Sequence, residues 1–116
     1  MRALVFGGAG FIGSELAVRL HSEGHGVTVF DSLYTGRMEN LAACAGKKGF
    51  RFVKGDMRNP AQVKKAIGEL DEDDIVYHLA ANADIRGGME NTFMDFEYNA
   101  ITTYNALEAM RLCDVK

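Results

Sequence analysis

The stretch that most constrains this chain is "VFGGAGFIGS", Val5 to Ser14. Glycines at positions 7, 8, 10 and 13 separate an apolar run, "RALVF", from an amphipathic one. Glycine weakens a strand and a helix alike, so this spacing needs a reason. Either the chain turns sharply here, or its backbone must come very close to something. Gly8, Gly10 and Gly13 fit G-x-G-x-x-G, and Gly7, Gly10 and Gly13 are spaced three apart.

The rest of the chain supplies the context. Residues 2–6 read as a buried strand, and residues 12–24 follow at helical period. Gly13, Leu16, Ala17 and Leu20 share one face of that helix, and Glu15 and Arg19 are spaced to pair on the other. Residues 27–31, "VTVFD", and 50–54, "FRFVK", read as strands, with "ENLAAC" a candidate short helix between them. Asn59-Pro60 starts a further helix, with Gln62 at its third position and Val63, Ala66, Ile67 and Leu70 on its apolar face. Residues 75–79, "IVYHL", are a fourth strand. From about residue 92 to 113 the period is helical, with Phe96, Ala100, Thr103, Leu107 and Met110 in register. Strands alternating with helices predict a parallel α/β sheet with right-handed crossovers. We expect a three-layer Rossmann-type sheet in the order 3-2-1-4.

A glycine pattern that follows a strand and opens a helix inside a βαβ unit means dinucleotide binding. Gly7 and Gly8 would permit the turn. Gly10 would let the main chain approach a pyrophosphate, and Gly13 would let the helix pack closely on the sheet. An acidic residue is then expected about 20 positions on. Asp31 stands there, ending the second strand, where its carboxylate can accept the ribose hydroxyls. A 2′-phosphate about 4 Å from that carboxylate would cost about 4 kcal/mol at an effective dielectric near 20. NAD is therefore expected over NADP, with Arg37 in the following loop the one nearby cation that could reverse the preference.

Composition excludes other classes. The 116 residues suit one domain, with 47% hydrophobic and 25% charged residues, as in globular proteins. A formal charge of -3 offers no footprint for nucleic acid or an anionic membrane. Cys44 and Cys113 form no C-x-x-C pair and read as reduced thiols in a cytoplasmic protein. His21, His25 and His78 form no metal-ligand pattern with them, so no metal site is expected. "DEDD", Asp71 to Asp74, reads as a solvated acidic turn, and His78 as a core histidine.

Further motifs carry a resemblance over the whole chain. "GGAGFIGS", "DSLYTGR", "KGDMRNP", "VYHLAA" and "EYNAITTYNALEAMR" resemble segments of the NAD-dependent epimerase/dehydratases, the extended short-chain dehydrogenase/reductases. Within that family the pattern is most like the UDP-glucose (UDP-galactose) 4-epimerases. The resemblance implies that Phe11, Ile12, Ser32 and Gly36 join Gly7, Gly10, Gly13 and Asp31 around NAD. It implies that Asp56 accepts the adenine amino group and that Met57 offers its backbone N–H. Leu79, Ala80 and Ala81 would lie along the nicotinamide half, and Asn99 would support the active-site end. The family's chemistry also uses a tyrosine with a lysine four residues later. Here Tyr34, Tyr77, Tyr98 and Tyr104 are followed at that distance by Met38, Ala81, Thr102 and Glu108. No catalytic residue is therefore assigned. Residues 1–116 are expected to be the N-terminal, NAD-binding portion of such an enzyme, truncated after the fourth strand and its helix, with a nucleotide sugar bound only by a longer form. Parts of a 4,6-dehydratase or reductase, or a stand-alone dinucleotide-binding sensor or interaction module, are the alternatives. A homo-oligomer is expected, through the strand at 75–79 or the last helix.

Overall fold

The computed structural model describes all 116 residues, Met1–Lys116. Four parallel strands form one sheet, β1 (Arg2–Phe6), β2 (Gly26–Asp31), β3 (Phe50–Lys54) and β4 (Ile75–His78), in the order β3-β2-β1-β4. This is the predicted order. Leu4 sits opposite Thr28 of β2 and Val76 of β4, so β1 is hydrogen-bonded on both sides. A central strand buried on both faces must be apolar throughout, and residues 3–6 are at most 1% exposed.

Alternation along the strands divides the core in two. Ala3, Val5, Val27 and Val29 face α1 (Phe11–Ser22) together with Ala17, Leu20 and Leu41. Leu4, Phe6 and Phe30 face the opposite layer, where α2 (Pro60–Ile67) and α5 (Thr102–Cys113) bring Val63, Ile67, Ala106 and Ala109. Phe6 and Phe30 meet edge to face at 5.2 Å, a contact worth about 1 kcal/mol beyond its burial. Asn59 caps α2 as expected, accepting from the N–H groups of Ala61 and Gln62 at 3.1 and 3.3 Å. Leu70 falls beyond the end of that helix.

Several local expectations change. "ENLAAC" carries only a single 3₁₀ turn, Met38–Leu41. Arg19 pairs with Glu23 at 2.5 Å rather than with Glu15. The last helix runs unbroken from Thr92 to Cys113, as expected, but changes form along its length. Two short pieces, α3 (Ile85–Glu90) and α4 (Thr92–Asp95), precede a π-helical segment, Phe96–Ile101, which runs into α5. A π turn holds an extra residue, so a 3.6 period counted from Phe96 falls out of phase beyond it. The buried positions of α5 are accordingly Thr102, Asn105, Ala106 and Ala109. Phe96 and Leu107, expected on the buried face, are 56% and 62% exposed.

The acidic turn is also not simply solvated. Asp71 is exposed, but Asp74 is buried and pins the start of β1 to the start of β4. Its Oδ1 accepts the Arg2 N–H at 2.7 Å, and its Oδ2 accepts the Asp71 N–H at 2.8 Å and Arg2 Nε at 2.9 Å. Burial works against the Asp74 charge, but these donors outweigh it and hold the carboxyl below its ordinary value of 3.8. A carboxyl lowered on folding stabilises the fold above its unfolded value and loses that contribution as pH falls through its folded value. Asp74→Asn is expected to lower unfolding free energy at neutral pH by about 2 kcal/mol, because a charged acceptor facing several donors is lost. It should also flatten the decline of native stability below about pH 4. Urea titrations of both chains across that range measure this, and superimposable curves would show that the pin contributes nothing.

Candidate functional site

At the carboxyl ends of the strands the loops part to leave a cleft of about 440 Å³. A crevice at this end of an open parallel sheet is where such folds bind ligands. Its lining brings together thirteen of the fourteen residues expected from sequence: Gly7, Gly10, Phe11, Ile12, Gly13, Asp31, Ser32, Gly36, Asp56, Met57, Leu79, Ala80 and Ala81. They come from the end of β2, the start of α1 and the loops after all four strands.

The glycines divide the work differently from expectation. Gly7 has φ +76°, and a Cβ there would come within 2.8 Å of the Leu79–Ala80 backbone. It both turns the chain and lets the loops after β1 and β4 touch. Gly8 serves packing rather than the turn, since a Cβ would meet Val29 at 2.7 Å. At Gly13 a Cβ would fall under 3.0 Å from Gly7 and Gly8 backbone atoms. Its absence lets α1 close onto the loop itself, not only onto the sheet. A Cβ at Gly10 would meet only Gly7 O, at an ordinary contact distance of 3.4 Å. Gly10 itself lines the cleft.

The first helical bond of α1 runs from Ser14 N–H to Gly10 O at 3.0 Å. The N–H groups of Phe11, Ile12 and Gly13 have no protein acceptor, as expected of a helix start. Three free donors at the positive end of the helix dipole suit an anion. Phe11 and Ile12, 93% and 68% exposed, flank them.

Asp31 is buried at the end of β2. Its Oδ2 accepts the Ala9 N–H at 2.9 Å and its Oδ1 the Leu33 N–H at 2.8 Å. Each oxygen keeps room for another donor. Gly36 lies so close that a Cβ would sit 2.9 Å from both Oδ1 and the Ala9 Cβ. Ser32 Oγ accepts from the Tyr34 N–H at 3.3 Å. Arg37 makes no ion pair; its main-chain N–H donates to Ala9 O at 3.0 Å.

Asp56 lines the cleft but is already engaged. Arg58 Nη2 reaches its Oδ2 at 2.7 Å, Nε lies 3.0 Å from both oxygens, and the Arg58 N–H donates to Oδ1 at 2.9 Å. The hydrogen-bonded guanidinium holds the Asp56 carboxyl below its ordinary value despite the opposing effect of burial. The Asp56 N–H donates to Gln62 Oε1 at 2.8 Å, fastening this loop to α2. Asn105 Nδ2 donates to Met57 O at 2.8 Å from α5.

Asn99 is the expected residue that does not line the cleft. Its Oδ1 accepts the N–H of Asn82, which does, at 2.8 Å. Asn82 also donates through Nδ2 to Asp95 Oδ1 at 2.6 Å. Asn99 therefore supports the lip from behind. His78, expected as a core residue, is half-buried at the end of β4, with its ring edge to face with Phe6. Its Nε2 lies 2.9 Å from Thr103 Oγ1, and that hydroxyl donates to Asn99 O at 2.7 Å, so Nε2 carries the proton. Nδ1 is buried without a partner, and desolvation pushes the ring's pKa down. Tyr34 and Tyr98 were assigned no site role from sequence, yet both line the cleft. A stacking tyrosine leaves no spacing signal.

Residues 4–116 match the family described as GDP-mannose 4,6 dehydratase. The chain belongs to that family of epimerases and dehydratases. It is 38% identical over 116 residues to the UDP-glucose 4-epimerase of Mycolicibacterium smegmatis, covering all of this chain and 36% of that protein. It is 39% identical over 112 residues to the CDP-paratose 2-epimerase of Salmonella typhi, covering 96% of this chain and 33% of that protein. Among solved structures, the Thermus thermophilus UDP-glucose 4-epimerase in complex with NAD superposes with a TM-score of 0.86 at 40% identity. That match covers all of this chain and 35% of the other. The chain thus spans about a third of the length of the relatives it matches. No helix is long and apolar enough to cross a membrane.

The two critical glycines separate loop architecture from ligand access. Gly13→Ala is expected to destabilise the fold by at least about 2 kcal/mol, because its methyl group has only backbone to displace. Gly10→Ala adds a methyl at ordinary contact distance and sits at a helix N-cap, where the change costs only about 1 kcal/mol or less. Thermal unfolding of the two variants gives the comparison, and equal shifts would contradict this division of roles.

Proposed function

We propose that this chain is the NAD-binding portion of a nucleotide-sugar enzyme resembling the UDP-glucose 4-epimerases. The observation that carries this reading is the meeting of two features in one cleft. Free N–H groups open α1 beside an unobstructed Gly10, and Asp31 stands at the end of β2. The first suits a pyrophosphate. The second keeps acceptor capacity for ribose hydroxyls after fastening the glycine loop. Solved neighbours crystallised with NAD support the same reading.

In this assignment Gly7, Gly10, Phe11, Ile12 and Gly13 hold the phosphates. Asp31, Ser32 and Gly36 surround the adenosine ribose, with Asp56 and Met57 toward the base. Leu79, Ala80 and Ala81 flank the remaining half, and Asn99 braces the lip through Asn82. Bound NAD supplies a hydride acceptor for oxidation at a sugar carbon. The chain's own residues bind and orient it. We assign no base for the sugar hydroxyl, since no tyrosine here has a lysine four residues later.

Asp31 should set the cofactor preference. Its carboxylate repels a 2′-phosphate, while Arg37, unpaired in this fold, is the cation free to offset that repulsion. Calorimetric titration is expected to give NAD affinity at least about a hundredfold above that for NADP. Asp31→Ala should narrow this ratio mainly by weakening NAD. A native preference for NADP, or no binding of NAD at all, would reject the assignment.

We also propose self-association. Phe93, Phe96 and Leu107, all at least 56% exposed, place large apolar side chains on α4, the π segment and α5. Exposed apolar groups in one region mark an interaction surface. Sedimentation at high concentration should report a homodimer or larger, and Leu107→Asp should shift it toward monomer. A monomer throughout would remove this proposal.

A further inference from the structure

The pair Tyr34 and Tyr98 is left unused by the assignment above. Tyr34 stands on the loop after β2 and Tyr98 on the π segment, so they reach the cleft from different elements. Their rings are stacked, with centroids 5.7 Å apart and planes 18° apart. That is within the range of offset aromatic stacks.

The two partners are held very differently. Tyr98 is anchored. The Arg58 guanidinium lies 4.7 Å from its ring centroid, and that arginine is itself fixed by ion pairs to Asp56 at 2.7 Å and Glu97 at 2.9 Å. The Tyr98 carbonyl accepts from Thr102 Oγ1 at 2.6 Å. Tyr34 is tethered only locally and is 68% exposed. The residue before it, Leu33, has φ +60°, a left-handed conformation that leucine rarely adopts. The Asp31 carboxylate holds that turn through the Leu33 N–H. Backbone strain is thus maintained at the residue that delivers Tyr34 to the cleft, and such strain gathers at ligand clamps.

We propose that Tyr34 and Tyr98 form an aromatic clamp for the purine base of the dinucleotide. Tyr98 is the fixed platform and Tyr34 the closing face. Rings in van der Waals contact lie about 3.5 Å apart, so a base held between the two needs their planes about 7 Å apart, and an offset stack in contact must part by roughly 3.5 Å. The loop at Leu33–Tyr34 provides that movement. Asp56 and Met57, on the same cleft, are left to contact the base edge. This inference rests on the dinucleotide reading and adds the residues that grip the ring face.

The test uses the whole chain and three probes: AMP, nicotinamide mononucleotide and NAD. Calorimetry reads the affinities. Tyrosine emission is a second readout, because the chain has no tryptophan. Tyr34→Leu is expected to weaken AMP and NAD about tenfold through loss of a stacking face. Tyr34→Phe should retain both affinities, and nicotinamide mononucleotide should bind all variants alike. Tyr98→Leu should match Tyr34→Leu; if it fails to fold, the exposed Tyr34 position decides alone. Unchanged AMP affinity in Tyr34→Leu overturns the clamp, as does equal weakening of both mononucleotides. A native chain that binds AMP with quenching but not NAD keeps the clamp and rejects the dinucleotide reading. One that binds neither rejects both.

Discussion

The cleft depends on one buried carboxylate. Asp31 accepts a hydrogen bond from Ala9 in the glycine loop and another from Leu33 in the loop after β2. It thereby fixes two loops that share no covalent neighbourhood, 22 residues apart in the first case. A carboxylate in this position carries charge into a protected site, which is costly unless donors meet it. The main-chain donors do so without any ion pair to the carboxylate. The negative charge therefore remains uncompensated by side chains, and the cleft stays selective toward donors such as hydroxyls. The same group that shapes the glycine loop thus also sets what the loop can receive.

The strand order and both core faces were legible because each strand alternates or is uniformly apolar, and each helix but the last keeps one period. The cleft was legible for a different reason. Glycine and aspartate at fixed offsets are required by backbone approach and charge, so their spacing survives as a pattern. What escaped notice had no such pattern. The π segment is invisible to a 3.6 period, and it moved the buried face from Phe96, Thr103 and Leu107 to Thr102, Asn105 and Ala109. Asp74 looked like one of four interchangeable carboxylates in "DEDD"; only the main-chain donors of Arg2 and Asp71, brought to it by the fold, single it out. Asn99 was expected near the site and stands one hydrogen bond behind it.

Arg58 ties the base end of the cleft together. It engages Asp56, Glu97 and the Tyr98 ring at once, drawing the loop after β3 toward the π segment. Ion pairs this exposed contribute little to global stability. Their value here is positional. A planar guanidinium with several directional donors fixes an acidic and an aromatic neighbour in one orientation, which a lysine could not do. The consequence is that Asp56 meets any ligand as a charge already partly shared, so it can accept from a base edge but cannot act as a freely ionising acid.

Why the cleft lies where it does follows from topology alone. The chain leaves β1 toward one face through α1 and enters β4 from the other face through α2, so the loops after β1 and β4 diverge. A crevice at such a switch point is unavoidable. Its depth is not. Gly7 sits where the two loops meet, and its missing side chain lets them come into contact with the Ala80 backbone. A larger residue there would wedge the loops apart and deepen the crevice, but it would pull Phe11 and Ile12 away from Leu79 and Ala80 on the other wall. Contact at Gly7 therefore closes the crevice between these two loops at its base, and leaves its lining to residues drawn from the ends of all four strands.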